Sequence, residues 1–218
     1  MNQKCIKCKV VDYPSAVSCV RCSTLLAESV DDESESFFVK HRIAKRSLVC
    51  LLVLVATIAG FYASLIFSAA SLSVDQRKTV AGAISILEAK GFADEVFLLQ
   101  RVAVYRSNDH WFNASVEKEN AFAATNFPFE IVTLYPDYFT FTADDTERAA
   151  ILLHEAKHLQ GFEEKEAYEF VWKNRIRFGW TAEKYKASVV WQEIRKQTRD
   201  YSPSLFICEA NSFGDCTE

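Results

Sequence analysis

The chain has 218 residues, with 25 Lys and Arg against 29 Asp and Glu, so its net charge is near −4 and nothing in its totals favours a polyanionic partner such as nucleic acid. Half of the residues are apolar, enough for a core, and the length suits one or two domains. The seven cysteines fall in three groups: four within the first 22 residues, one at Cys50, and two at Cys208 and Cys216.

Residues 1–27 form the first region. Cys5-Ile6-Lys7-Cys8 and Cys19-Val20-Arg21-Cys22 give a CxxC–x10–CxxC pattern, in which two short knuckles can close four thiolates around one zinc ion. So short a segment cannot build a sufficient core, and the metal supplies the folding energy. The pattern resembles the zinc-ribbon modules at the N-termini of many bacterial membrane proteins. That resemblance implies a structural zinc and an interaction role.

Residues 28–46 open with the acidic run Glu28-Ser29-Val30-Asp31-Asp32-Glu33-Ser34-Glu35 and end basic. A linker is expected, because this composition cannot bury apolar surface. Residues 47–70 carry no charge and are dominated by leucine, valine, alanine, isoleucine and phenylalanine. A run of about 20 such residues is long enough to cross a bilayer as a helix. The alternative, a buried helix of a soluble domain, usually shows shorter runs with polar interruptions. Lys40, Arg42, Lys45 and Arg46 precede the run, and only Arg77 and Lys78 follow it closely. The heavier basic flank stays in the cytoplasm, so the N-terminus is expected inside an inner or plasma membrane and the remainder outside. In an oxidising space Cys208 and Cys216 can pair; free thiols are the alternative.

Residues 71–218 read as an α+β domain. A helix is expected over Gln76 to Lys90, ended by Gly91. Glu95 to Arg106, Trp111 to Val116 and Phe129 to Tyr135 are rich in valine, isoleucine, phenylalanine and tyrosine and read as strands. Thr142, Asp144 and Asp145 offer N-caps for a helix from about Thr146 to Gln160. Further helices are expected from near Glu163 and over Ala182 to Arg199. Trp172, Trp180 and Trp191 read as core residues.

The chemistry is concentrated in Ala149-Ala150-Ile151-Leu152-Leu153-His154-Glu155-Ala156-Lys157-His158-Leu159-Gln160-Gly161-Phe162-Glu163-Glu164. His154 and His158 lie one turn apart on one helix face and can share one zinc ion. Glu155, beside the first, can take a proton from water activated by the metal. Mixtures of His, Glu and Lys also occur on solvated helix faces. Here, though, the approach from Ala149 to Leu153 is wholly apolar, which puts the motif on a buried helix. A catalytic zinc needs a third protein ligand and an open position. Glu164 is nominated by spacing, with Glu166 and Glu163 as alternatives, and Gly161 can reverse the chain between the histidines and these carboxylates. Tyr168, Tyr185 and His110 are candidate oxyanion donors, and Glu130 to Leu134 is the strand expected to take extended substrate.

The string HExxHxxGxxE resembles the metzincin peptidases, whose third ligand occupies the position of Glu164 but is normally histidine. Glu164-Lys165-Glu166-Ala167 resembles the ExxA segment of gluzincin-type membrane peptidases, in which the first glutamate completes the site. Metzincins also place a methionine turn beneath the metal, and no methionine follows Met1 here. The resemblance covers residues 149–178 and favours a compact gluzincin-like member of the zincins. It implies a zincin-like fold, a catalytic zinc on His154, His158 and Glu164, Glu155 as base, and peptide or envelope-protein substrates. A non-catalytic sensor or scaffold of the membrane is the alternative, although it has no need of Glu155.

Overall fold

The structure, a computed structural model, describes residues 3–13, 16–26, 33–112, 122–208 and 215–217. The chain divides into two compact units, Met1–Ile58 and Ala59–Glu218.

In the first unit, strands β1 (Gln3–Lys4) and β2 (Val11–Asp12) pair antiparallel around the first CxxC knuckle. A bridge from Ser18 to Leu25 closes the second knuckle in the same way. The knuckles repeat one turn. Lys9 N–H donates to Cys5 O and Cys5 N–H to Val10 O, while Ser23 N–H donates to Cys19 O and Cys19 N–H to Thr24 O. Lys9 and Ser23, at equivalent places, take φ of 60° and 52°. Buried Cys5, Cys19 and Leu26 are the module's small core, far too little to hold it without another constraint.

Helix α1 (Glu33–Ser68) begins inside the segment expected as linker and runs unbroken into the apolar stretch. Within it, His41–Ser68 is long and apolar enough to cross a membrane, and only 6% of its most apolar window is buried. A core helix of a soluble domain would be mostly covered, so this surface needs another apolar environment.

The second unit builds one core from helices around a small sheet. Helix α2 (Val74–Ala89) opens with a capping box between Ser73 and Gln76. Helix α3 (Ala93–Arg101) follows, then strands β3 (Val104–Arg106), β4 (Ala123–Asn126) and β5 (Ile131–Leu134). The sheet order is β3-β5-β4, with β5 parallel to β3 and antiparallel to β4. After α4 (Pro136–Thr140) come α5 (Asp145–Leu159), α6 (Glu164–Asn174), α7 (Ala182–Tyr185) and α8 (Val189–Tyr201). Helix α5 is the centre. Eleven of its residues are buried, and it touches α2, α3, α6 and β4.

Three expectations are corrected. Glu95 to Arg106 is not one strand: its first part is α3, because Val96 and Leu99 share a buried face and buried Glu95 reaches Lys157 Nζ at 3.1 Å. The helix expected over Ala182 to Arg199 breaks after α7, where the Ser188 side chain accepts from Trp191 N–H and caps α8. Trp111 to Val116 is not a strand where it is described: Trp111 and Phe112 lie in a turn, and residues 113–116 fall outside the described residues. Trp172, Trp180 and Trp191 are core residues, packed with ring centroids 4.7 to 6.1 Å apart. Cys208 and Cys216 form a disulfide. Beside it, buried Asp215 accepts from Arg175 Nη2 at 2.6 Å and Trp172 Nε1 at 3.0 Å, pinning this segment to the core.

Candidate metal centre and its cavity

Helix α5 starts where Asp144 accepts from the N–H groups of Thr146 and Glu147. It stops in a Schellman turn. Gly161 N–H donates to His158 O and Phe162 N–H to Lys157 O, with Gly161 at φ 82°. That left-handed step reverses the chain at once, so α6 begins at Glu164, three residues later, and turns its first carboxylate back toward α5.

His154, Glu164 and His158 meet there. The two Nε2 atoms are 2.9 Å apart, His154 Nε2 is 3.2 Å from Glu164 Oε2, and His158 Nε2 is 3.5 Å from Glu164 Oε1. These three residues can hold a metal ion, and their donor atoms all lie within 4.8 Å of one another. The fit to zinc is good. Bonds of about 2.0–2.1 Å in a tetrahedron place ligand atoms about 3.3 Å from each other, and two nitrogens with one carboxylate oxygen are a borderline-soft set that zinc accepts. His158 Nδ1 donates to Phe162 O at 2.9 Å, which leaves Nε2 as the nitrogen that faces the site. Buried His154 Nδ1 has no such partner among the described residues. Glu163 lines the cavity beside the cluster but is outside it, and Glu166 is exposed on α6.

The charges respond to this geometry. Burial opposes the imidazolium form of His158. The hydrogen bond to Glu164, the negative charge of Glu155 and the Phe162 carbonyl outweigh it, and its pKa is pushed up to about 9. Hydrogen bonds from His154 and His158 hold Glu164 well below the usual carboxylate range, against the burial that would raise it. The site thus draws a cation, and without a metal a proton fills that role.

Glu155 is 3% exposed and its Oε2 accepts from Thr125 Oγ1 at 2.7 Å, outside the ligand triangle. Thr125 belongs to β4, thirty residues earlier, and no local spacing announces it. Both line a cavity of about 650 Å³ with His154, His158, Glu164, Tyr168 and Tyr201. The ring of Tyr168 lies 4.3 Å from that of His154 and 5.6 Å from that of Tyr201. Burial, then the charges of Glu164 and Glu155, raise the Tyr168 pKa, so its phenol stays protonated. Tyr185 is elsewhere: its hydroxyl donates to Asp144 Oδ2 at the start of α5. His110 is fully buried, with Nε2 2.8 Å from Nδ2 of Asn126 in β4, and does not line the cavity. The expected substrate strand is also corrected. Residues 131–134 form β5, which is hydrogen-bonded on both sides, whereas β4 lies at the edge of the described sheet and lines the cavity.

In the first unit Cys5, Cys8, Cys19 and Cys22 can hold a second ion. Their Sγ atoms stand 3.3 to 3.6 Å apart across Cys8–Cys19, Cys5–Cys22 and Cys8–Cys22, close to the roughly 3.8 Å spacing of a tetrahedral zinc–thiolate site. Hydrogen bonds from the Thr24 side chain and backbone draw the Cys22 thiol down to about 6, toward the thiolate a metal requires.

Comparison of the chain with protein families, with curated proteins and with solved structures finds no match.

Proposed function

We propose that this protein is a membrane-anchored, zinc-dependent hydrolase, a compact zincin-type peptidase acting on peptides or envelope proteins outside the cytoplasm. One observation carries the reading: on a single helix, His154 and His158 converge with Glu164 while Glu155, between them in sequence, is held off the triangle by Thr125 in the same cavity. A binding site has no use for a carboxylate so placed, whereas a hydrolytic site needs one. Zinc held by His154, His158 and Glu164 supplies Lewis acidity toward water and toward a substrate carbonyl.

The chain's own residues do the rest. Glu155 takes a proton from water as its oxygen attacks the carbonyl carbon. As the C–N bond breaks, Glu155 returns that proton to the leaving amine. Tyr168 and Tyr201 line the cavity, and their phenols donate to the oxygen that gains charge. The free edge of β4 aligns an extended peptide across the cavity. Helix α1 crosses the membrane with the cysteine module in the cytoplasm, as the basic residues Arg42, Lys45 and Arg46 direct. The Cys208–Cys216 disulfide suits a domain on the oxidising side.

The test is zinc content and hydrolysis of a mixed fluorogenic peptide set by the purified full-length protein and its Glu155→Gln variant. Zinc in both with turnover only in the parent supports the reading. Zinc in both with turnover in neither makes the domain a binding or scaffold module.

A further inference from the structure

We infer that the second unit rests on the bilayer through an aromatic collar, Phe61, Trp111, Phe112, Phe127 and Phe129, and that its cavity takes polypeptide segments lying at the membrane surface. This rests on α1 spanning the membrane.

The depth follows from arithmetic. The charge-free stretch begins at Ser47, directly after Lys45 and Arg46. About 20 residues at about 1.5 Å each cross the hydrocarbon layer. Counted from Ser47, the crossing ends near Ile66, and sliding it toward the N-terminus would draw Arg46 and Lys45 into hydrocarbon.

Yet the folded domain already grips the end of that stretch. Leu65 is completely buried. Phe61 packs against Trp111, Phe112 and Phe129 with ring centroids 5.8, 6.3 and 5.6 Å away. Trp111 Nε1 donates to Ser64 Oγ at 3.2 Å, and Arg106 Nε donates to Ile66 O at 3.2 Å. These residues therefore sit at the depth where the span leaves the hydrocarbon. Trp111, Phe112 and Phe127 remain 51%, 53% and 58% exposed. Large aromatic rings, one with a polar N–H, are the side chains that prefer the membrane–water interface.

The cavity is joined to this collar twice. Phe127 lines the cavity and lies two residues, about 7 Å of chain at most, from Phe129. Asn126, also in the cavity wall, bonds His110, which stacks on Phe112 at 6.3 Å. The edge strand β4 ends in this same turn, so a peptide added to it runs out at the bilayer surface.

The full chain, reconstituted in phosphatidylcholine vesicles brominated on the acyl chain near the headgroup, reads the collar directly. Trp172, Trp180 and Trp191 are at most 3% exposed, so bromine should quench the share of emission that belongs to Trp111. The Trp111→Phe variant should emit equally in brominated and plain vesicles. Equal emission from the parent in both overturns the collar, and loss of the chain from vesicles in an alkaline wash overturns the span and the collar together. For the substrate class, the mixed peptide set is tethered to the vesicles by linkers of about 5 or about 40 flexible residues. Cleavage at least as fast on the short tether is expected. Cleavage of the long-tethered set alone, by tenfold or more, overturns the surface-facing cavity. No cleavage even of free peptide overturns the hydrolase reading, while quenching still decides the collar.

Discussion

The two candidate metal centres are built on opposite plans. The cysteine module surrounds its centre with four thiols from two matching turns, enough to fill all four positions of a tetrahedral site. The histidine centre offers three donors from one helix and the start of the next, faces a cavity, and keeps an unligated carboxylate at its edge. A closed site stores folding energy, whereas an open site with a base spends its metal on chemistry. On the proposed reading one element serves two ends, separated by coordination number and by whether a carboxylate stands free beside the ligands.

The sharpest way to break this contrast is to remove one ligand from each centre. His158→Ala should lower zinc from two to one per chain and abolish peptide hydrolysis, read by metal analysis and turnover. Cys22→Ser should also cost one zinc yet leave the rate of hydrolysis unchanged; a matching loss of rate would erase the division. Next, Glu155→Gln should retain both ions and slow hydrolysis by about 10²–10⁴, the usual worth of a positioned acid–base group, since an amide cannot accept the proton.

The third prediction concerns pH. In the metal-free site His158 is raised from 6.5 to about 9, so zinc must displace its proton. Apparent affinity measured by competitive titration should rise about tenfold per pH unit from 6.5 to 9 and level off above. The sign for stability is the reverse. Because the folded pKa is raised, the metal-free domain holds this contribution fully below pH 6.5 and loses it as pH climbs through 9, so its melting temperature should fall there. Glu164, depressed from 4.5, adds stability above that value and loses it toward strong acid. The zinc-loaded domain should show neither slope near neutrality. The smallest effect is expected from Thr125→Val, which removes the bond that aims Glu155. A loss of about tenfold in kcat with little change in KM would mark Thr125 as a positioning residue, and an unchanged kcat would show that Glu155 is aimed without it.

What could be read in the sequence follows the reach of each interaction. The boundaries of α5 lie in its own residues: Asp144 caps one end, Gly161 turns the other, and the apolar run before His154 foretells burial. The cysteine knuckles are equally local. Helix α3 reads as strand in the sequence because Lys157, the partner that lets Glu95 be buried on a helix, lies 62 residues away. Strand β4 is not legible in the sequence because Ala-Ala-Thr-Asn has little preference for extended structure. It is a strand by virtue of its ladder with β5, from Ala123 opposite Leu134 to Asn126 opposite Ile131. With it went Thr125 and the cavity wall. Tyr201, at the far end of α8, was likewise brought to His154's neighbour Tyr168 by packing between helices alone.

The Schellman turn at Gly161 has a last consequence. It confines all three donors to residues 154–164, so the ring that an ion closes is one short loop. Short loops close at small entropic cost, so bringing these donors together asks little of the chain. Loading therefore calls on no distant segment. On the topology proposed above, the second unit lies outside the cytoplasm and takes its ion from what that compartment holds, so the external supply of metal sets when the site comes into use.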